Sequence, residues 1–273
     1  AFFECRALER ISLGGGLTYL PGDVFSCCTA LKSVELPAQI TEIGAYAFSS
    51  CGALETVGLG SGVTKIGQSA FCMCTALTDV TLPDGLQEIG YNAFSHTALT
   101  ALSIPDSVHT LGGAAFADCA ALARIELPAH LRELKRDTFA GCTALTAITL
   151  PDGAESIGDE AFSGCTALTD VFLPDSLRRF AETAFADCGD ALLLHGPAGS
   201  AAERFAERYA LAFQADGRIA AQIEKNRRGG LPLRRFFRAC ARCGTASAGM
   251  FTLLYDFLYF LLHFPFSCAI LKA

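Results

Sequence analysis

Residues 77–94 read Leu-Thr-Asp-Val-Thr-Leu-Pro-Asp-Gly-Leu-Gln-Glu-Ile-Gly-Tyr-Asn-Ala-Phe, and the same phrase recurs along most of the chain. Eight full copies can be superimposed between Leu8 and Phe185. The phenylalanine that ends the phrase is followed through the sequence as Phe3, Phe25, Phe48, Phe71, Phe94, Phe116, Phe139, Phe162 and Phe185, at spacings of 22 or 23 residues. A fixed period in the range of about 20 to 50 residues indicates a solenoid of stacked coils.

Each position of the phrase predicts a local structure. Val80 and Leu82 alternate with polar residues, which favours a short strand with one buried face. Pro83 lacks an N–H donor and should end that strand, and Asp84-Gly85 should form the turn after it. Gly90 marks a close approach of backbone segments, and the phenylalanine should fill the coil interior. Because one coil cannot bury its own apolar face, we expect neighbouring coils to stack.

The complete phrase, Ala-Phe-x-x-Cys-x-x-Leu-x-x-Val-x-Leu-Pro-x-x-Leu-x-x-Ile-Gly, resembles the BspA-like, treponemal-type leucine-rich-repeat family over about residues 1–213. The resemblance implies a right-handed leucine-rich-repeat solenoid with a parallel β-sheet on the concave face. The convex face should be irregular, with short strands or 3₁₀ turns. It also implies a cell-surface or secreted protein that acts in adhesion and binding of host proteins.

Three segments are predicted. Residues 1–195 hold repeats of 22–23 residues, and they open within a repeat, so we expect the natural protein to begin upstream. Residues 196–215 resemble the family's C-terminal cap, a coil followed by a helix. The apolar face of that helix would comprise Ala202, Phe205, Ala206 and Tyr209. Residues 216–273 form a non-repeat tail that is basic and then apolar.

The apolar part of the tail, residues 250–271, approaches the length that crosses a bilayer, about 20 residues. Asp256, His263 and Pro265 interrupt it. Three interpretations remain open: a membrane anchor, a helix pair packed on the solenoid end, or a segment that is not native coding sequence.

The cysteines of the repeat form a second series: Cys5, Cys28, Cys51, Cys74, Cys119, Cys142, Cys165 and Cys188. Disulfides or a metal site would be the chemical interpretation. An evenly spaced row offers no preferred pairing and has no second ligand type beside it. We therefore predict small buried thiols that pack and bond weakly to loop backbone, with Cys27 and Cys72 exposed outside the row.

The net charge and the motifs of the sequence restrict the classes of function to be expected. Residues 1–215 carry a net charge of −13 and residues 216–273 a net charge of +6. An acidic body argues against nucleic acid as a partner, since that affinity depends on clustered Lys and Arg. No phosphate loop, nucleophile elbow or paired catalytic carboxylate can be identified, so we predict no enzyme activity and no cofactor.

The exposed strand face is the predicted site, because solenoids commonly bind along such a surface. Its candidate residues are Glu35, Asp79, Thr81, Arg124, Glu126, Thr149, Asp170 and Phe172. Phe172 would be either an anchor for a partner or a residue packed under the cap.

The leading prediction is a non-enzymatic binding or adhesion module for a protein ligand, such as a host or extracellular-matrix protein. Two alternatives remain open. The chain could be the repeat region of a larger protein whose N-terminal part carries the activity. It could also be a cytoplasmic interaction scaffold, which free cysteines would suit.

Overall fold

The computed structural model describes residues 2–216, which form a solenoid with two rows of short parallel strands. Strands are numbered in chain order. Row A comprises β2 (Ser33–Glu35), β4 (Thr56–Gly58), β6 (Asp79–Val80), β8 (Ala101–Ser103), β10 (Arg124–Glu126), β12 (Ala147–Thr149), β14 (Asp170–Phe172), β16 (Leu193–Pro197) and β17 (Ala212–Asp216). Row B comprises β1 (Tyr19–Leu20), β3 (Glu42–Ile43), β5 (Lys65–Ile66), β7 (Glu88–Ile89), β9 (Thr110–Leu111), β11 (Glu133–Leu134), β13 (Ser156–Ile157) and β15 (Arg179–Phe180).

The strand register follows the repeat. Val34 pairs with Val57 and Val57 with Val80, so each step joins the same position of successive phrases. The middle residue of a row A strand is buried and its neighbours point outward, as the alternation predicts. Row B adds one further buried position per coil, such as Ile66. The predicted solenoid is confirmed. Of the two local structures expected on the convex face, short strands are present, and no 3₁₀ turn occurs within residues 2–216.

The phenylalanines form a continuous stack through the interior. Neighbouring ring centroids are 5.3 to 5.7 Å apart and the rings are within 19° of parallel. The assignment of the first ring to Phe3 was wrong, because Phe2 stacks on Phe25 at 5.5 Å while Phe3 is 54% exposed. Phe2 keeps both the Ala-Phe dipeptide and the 23-residue spacing, whereas Phe3 keeps neither.

The cysteines form the predicted row, in which six thiols are buried and the two at its ends, Cys5 and Cys188, are half-buried. In seven coils, from Cys28 to Cys188, the thiol donates to the carbonyl of the phenylalanine one coil earlier, at 3.1 or 3.2 Å. The ten cysteines of the described residues are all free. Cys27 and Cys72, expected to be exposed, are half-buried. Hence the row packs between coils and does not cross-link them.

One coil lacks the cysteine and shows what its position requires. The phrase after Phe94 is one residue short, and Thr97 occupies the place of the thiol. Thr97 is buried, and its hydroxyl donates to the Phe94 carbonyl at 2.8 Å. This acceptor belongs to the same coil, whereas the thiols bond to the coil before, so Thr97 fills the position with a small buried donor that has a different partner.

The C-terminal helix is present as predicted. Helix α1 spans Ala201–Tyr209, and the Ser200 hydroxyl caps it by accepting the Glu203 N–H. Phe205 lies on Phe180 at a centroid distance of 4.6 Å, which closes the end of the apolar interior. Strand β17, which was not predicted, then pairs in parallel with β16.

Residues 217–273, including the predicted membrane segment 250–271, lie outside the described residues. Within residues 2–216, no helix is both long enough and apolar enough to cross a bilayer. The boundaries predicted for the three segments stay predictions.

Candidate binding surface on the strand face

The outward positions of row A form the candidate surface. Most row A strands have an outward position on either side of a buried central residue, and the parallel register repeats these positions from coil to coil. The row is not one uninterrupted ladder. Hydrogen bonds join β2, β4 and β6 in one group, β8 and β10 in a second, and β12, β14, β16 and β17 in a third. The predicted residues are therefore distributed over three segments of the face.

In the first segment the structure places Glu35, Asp79 and Thr81 on the outer surface. Glu35 is paired in register with Gly58, and its carboxylate lies over that glycine in the space a side chain there would fill. Asp79 begins β6 and Thr81 follows its end. Neither Glu35 nor Asp79 forms an ion pair with any residue between 2 and 216, so both carboxylates are open to solvent.

In the second segment, Arg124 and Glu126 flank the buried Ile125 on β10. Their register partners on β8 are Ala101 and Ser103, which are small. Both charged side chains are exposed, and neither forms an ion pair within residues 2–216. This segment thus presents one free charge of each sign.

The third segment brings residues together. Phe172 is in register with Thr149 on one side and with His195 on the other. Its ring stacks on the His195 imidazole at a centroid distance of 4.4 Å and an angle of 16°. His195 Nε2 lies 2.8 Å from Asp170 Oδ1, on the strand that carries Phe172. We name Thr149, Asp170, Phe172 and His195 the aromatic cluster.

Hydrogen bonding fixes the aromatic cluster. The Thr169 hydroxyl and the His195 ring hold the pKa of the Asp170 carboxyl below its ordinary value. Asp170 is thereby kept as an acceptor that orients the imidazole, and the imidazole supports one face of Phe172. Phe172 nevertheless remains 39% exposed. It combines a fixed orientation with free apolar surface, as an anchor residue requires.

The sequence interpretation missed His195. The signal was present, because Leu194 follows Val171 by 23 residues, which places His195 at the outward position of the next strand. The usual Leu-Pro ending is absent from this coil, so the repeat phrase alone does not mark His195 as a strand residue. Phe172 packs against His195 of β16, the strand that leads into the predicted cap.

The thiols of the cysteine row have low nucleophilic reactivity. Burial raises the pKa of Cys51 and Cys165 to about 12 and that of Cys119 and Cys188 to about 11. A thiol is a nucleophile only as the thiolate, so these side chains are suited to packing. Among residues 2–216, no group of three or more His, Cys, Asp or Glu side chains is arranged to hold a metal ion.

Comparison with known proteins places the chain among repeat proteins. Residues 1–123 and 87–194 match the family described as BspA type leucine rich repeat region, with six copies. No curated protein matches.

Several solved structures are similar. A leucine-rich repeat protein from Bacteroides ovatus is 25% identical over 66% of this chain, with a TM-score of 0.52. This chain covers 59% of the length of that protein. The T. pallidum leucine-rich repeat protein is 34% identical over 58% of this chain and 75% of its own, with a TM-score of 0.54. A leucine-rich cell surface protein from Faecalibacterium prausnitzii is 24% identical over 80% of this chain and 79% of its own, with a TM-score of 0.46.

Proposed function

This chain belongs to the BspA-type leucine-rich-repeat family, and we propose that it is a non-enzymatic module that binds a protein ligand through the outward residues of row A. The observation that carries the proposal is the aromatic cluster, where Phe172 is held by His195 and Asp170 yet stays 39% exposed. Large aromatic side chains with a preset orientation bind at low entropic cost.

The rest of row A complements the anchor. Glu35, Asp79, Arg124 and Glu126 are charged, and none of them is paired with a residue of the described chain, 2–216. Such groups around an apolar anchor set the orientation and rate of association more than the affinity. The surface therefore combines one apolar contact with charges that discriminate between partners.

We further propose that the protein acts at a cell surface or after secretion, in adhesion to host or extracellular-matrix proteins. The test is binding of the full chain to immobilised fibronectin, laminin and collagen. We compare the wild type with Phe172→Ala and with the control Tyr19→Ala, which removes a 57% exposed aromatic from row B. Phe172→Ala should raise Kd about tenfold or more, and Tyr19→Ala should leave it unchanged.

Two results would contradict this proposal. Equal weakening by both variants would show that the contact is not specific to row A. Absence of saturable binding to all three proteins would rule them out as the partners we expect.

The free cysteines favour a second candidate, an intracellular interaction scaffold. Ten unpaired thiols within residues 2–216 fit a reducing compartment. Oxidised glutathione separates the two candidates. If only the half-buried thiols such as Cys27 form mixed disulfides and the fold persists, the protein tolerates an oxidising environment. If the row thiols react and the fold is lost, the intracellular scaffold is favoured.

A further inference from the structure

Row B is interrupted between β9 and β11. The other neighbouring strands of this row are joined by backbone hydrogen bonds, such as Gly90 N–H to Ile66 O and Gly158 N–H to Leu134 O, both 2.8 Å. Both strands at the break lie within residues 2–216, and no backbone hydrogen bond joins them. The corresponding bond would run from the Lys135 N–H to the Leu111 carbonyl.

The interruption coincides with a change in sequence. The position after a row B strand is glycine at residues 44, 67, 90, 112 and 158, but it is Lys135 after β11. A Cβ at Gly90 would lie 2.6 Å from the Gly67 carbonyl carbon, so the coils leave no room for a side chain here. At the last strand of the row, Ala181 keeps its bond to Ile157 O at 2.9 Å, so the backbone there accommodates one methyl group. We attribute the separation of the strands to the longer lysine side chain.

A cleft of about 300 Å³ lies on the surface at this break. It is lined by Gly112 and Gly113, by Glu88 and Tyr91 of the preceding coil, and by Lys135 and Arg136 of the following coil. A Cβ at Gly113 would lie 3.3 Å from Arg136 Cγ and 3.6 Å from Tyr91 Cδ2. Gly113 therefore lies between the side chains of Arg136 and Tyr91 and adds no side chain of its own.

The charges of the cleft leave one cation open. Arg136 Nε is paired with Asp137 Oδ2 at 2.9 Å, and Glu88 is paired with Lys65 at 3.7 Å. Lys135 is exposed and forms no ion pair with any residue in the described part of the chain. Tyr91, 48% exposed, lines the same cleft from the preceding coil. The lining thus contains one cationic side chain without an ion pair and one exposed aromatic ring, in an acidic protein.

We propose that this cleft binds a glutamate or aspartate side chain from an acidic segment of a partner protein. The Lys135 ammonium pairs with the carboxylate, and the Tyr91 ring packs against the aliphatic part of the side chain. Gly112 and Gly113 have no side chains, so the partner's backbone can approach closely. This surface lies on row B and is independent of the contact proposed for row A.

The test uses the ¹⁵N-labelled full chain and the peptide acetyl-Gly-Glu-Glu-Glu-Glu-Gly-amide. We expect amide shifts confined to the cleft, at Thr110, Gly112 and Gly113, with a Kd on the order of 1 mM. Lys135→Gln should weaken binding about tenfold, whereas Lys32→Gln, which removes a charge beside row A, should have no effect. A peptide with lysine in place of glutamate should not bind.

Lys135→Gly gives an independent test, because it restores the recurring glycine. The strands should then join, the amide at position 135 should become protected from exchange, and the peptide should no longer bind. The proposal is overturned if the shifts are spread over the protein, if both charge variants weaken binding equally, or if the lysine peptide binds as well.

Discussion

Phe71, Phe94 and Phe116 occupy one interior position in three successive coils, whereas the outward position at the end of the row A strand is Thr81, Ser103 and Glu126 in the same coils. Phe94 has a neighbouring ring at 5.3 Å on one face and at 5.7 Å on the other, so replacing it with a non-aromatic residue would interrupt the stack. Most outward side chains are exposed and can change at little cost to folding. The interior therefore specifies the architecture, and the variable face is where an individual function can be encoded.

A substitution in the interior should lower the free energy of unfolding most at the middle of the phenylalanine stack. Phe116→Ala removes a fully buried ring with a neighbour on each face, and the free energy of unfolding should fall by about 3–5 kcal/mol. Phe3→Ala is the matched control, since Phe3 lies outside the stack and is exposed. Urea denaturation followed by circular dichroism measures both. Equal losses would show that the stack is not the principal source of stability.

The thiol row should be protected from alkylation. At pH 8, iodoacetamide should label Cys51, Cys119 and Cys165 at least about 100-fold more slowly in the native protein than after denaturation, since burial keeps these thiols protonated. Cys27, half-buried and without a phenylalanine carbonyl as acceptor, should react sooner. Peptide mapping by mass spectrometry assigns each site. Rapid native labelling of the row, or disulfides within it, would contradict the packing role.

The glycines allow a comparison within one residue type. A Cβ at Gly112 would overlap the backbone of Gly90 and Tyr91, whereas a Cβ at Gly85 meets no atom within 4 Å. Gly112→Ala should therefore lower the free energy of unfolding by about 1–3 kcal/mol, and Gly85→Ala should leave it unchanged or raise it slightly. Thermal melting is sufficient to rank the two variants. The reverse order would mean that coil spacing adjusts freely at row B.

Loss of the Asp170 carboxylate from the aromatic cluster should change the free energy of unfolding least, and the change should depend on pH. The Asp170 pKa is lowered in the folded state by Thr169 and then His195, so its contribution to stability is present above the unfolded pKa near 4. That contribution is lost as the pH falls through this range. Because Asp170 is partly exposed, it should be below about 1 kcal/mol.

Denaturation of wild type and Asp170→Asn at pH 7 and pH 3 tests this contribution. The difference in unfolding free energy should be larger at pH 7. A difference that grows on acidification would contradict the sign of the shift.

Sequence reasoning succeeded wherever many coils share a constraint. The Phe and Cys rows and the buried strand positions were predictable because each recurs several times, and the copies average out local variation. It failed at features that occur once. The choice between Phe2 and Phe3, the contact of His195 with Asp170, strand β17 and the break at Lys135 each depend on one local neighbourhood. Function resides in such single features, which explains why the fold was more predictable than the site.

The central claim is that the outward residues of row A bind the protein ligand, whereas the repeated interior residues stabilise the fold. Phe172→Ala tests this claim most directly. We measure its Kd for whichever matrix protein the wild type binds, and its free energy of unfolding in urea. The account predicts a Kd about tenfold higher or more, with a stability loss below about 1 kcal/mol, because the ring is 39% exposed and stacks on His195. An unchanged Kd together with a stability loss above about 2 kcal/mol would show that Phe172 belongs to the fold, and would contradict the account.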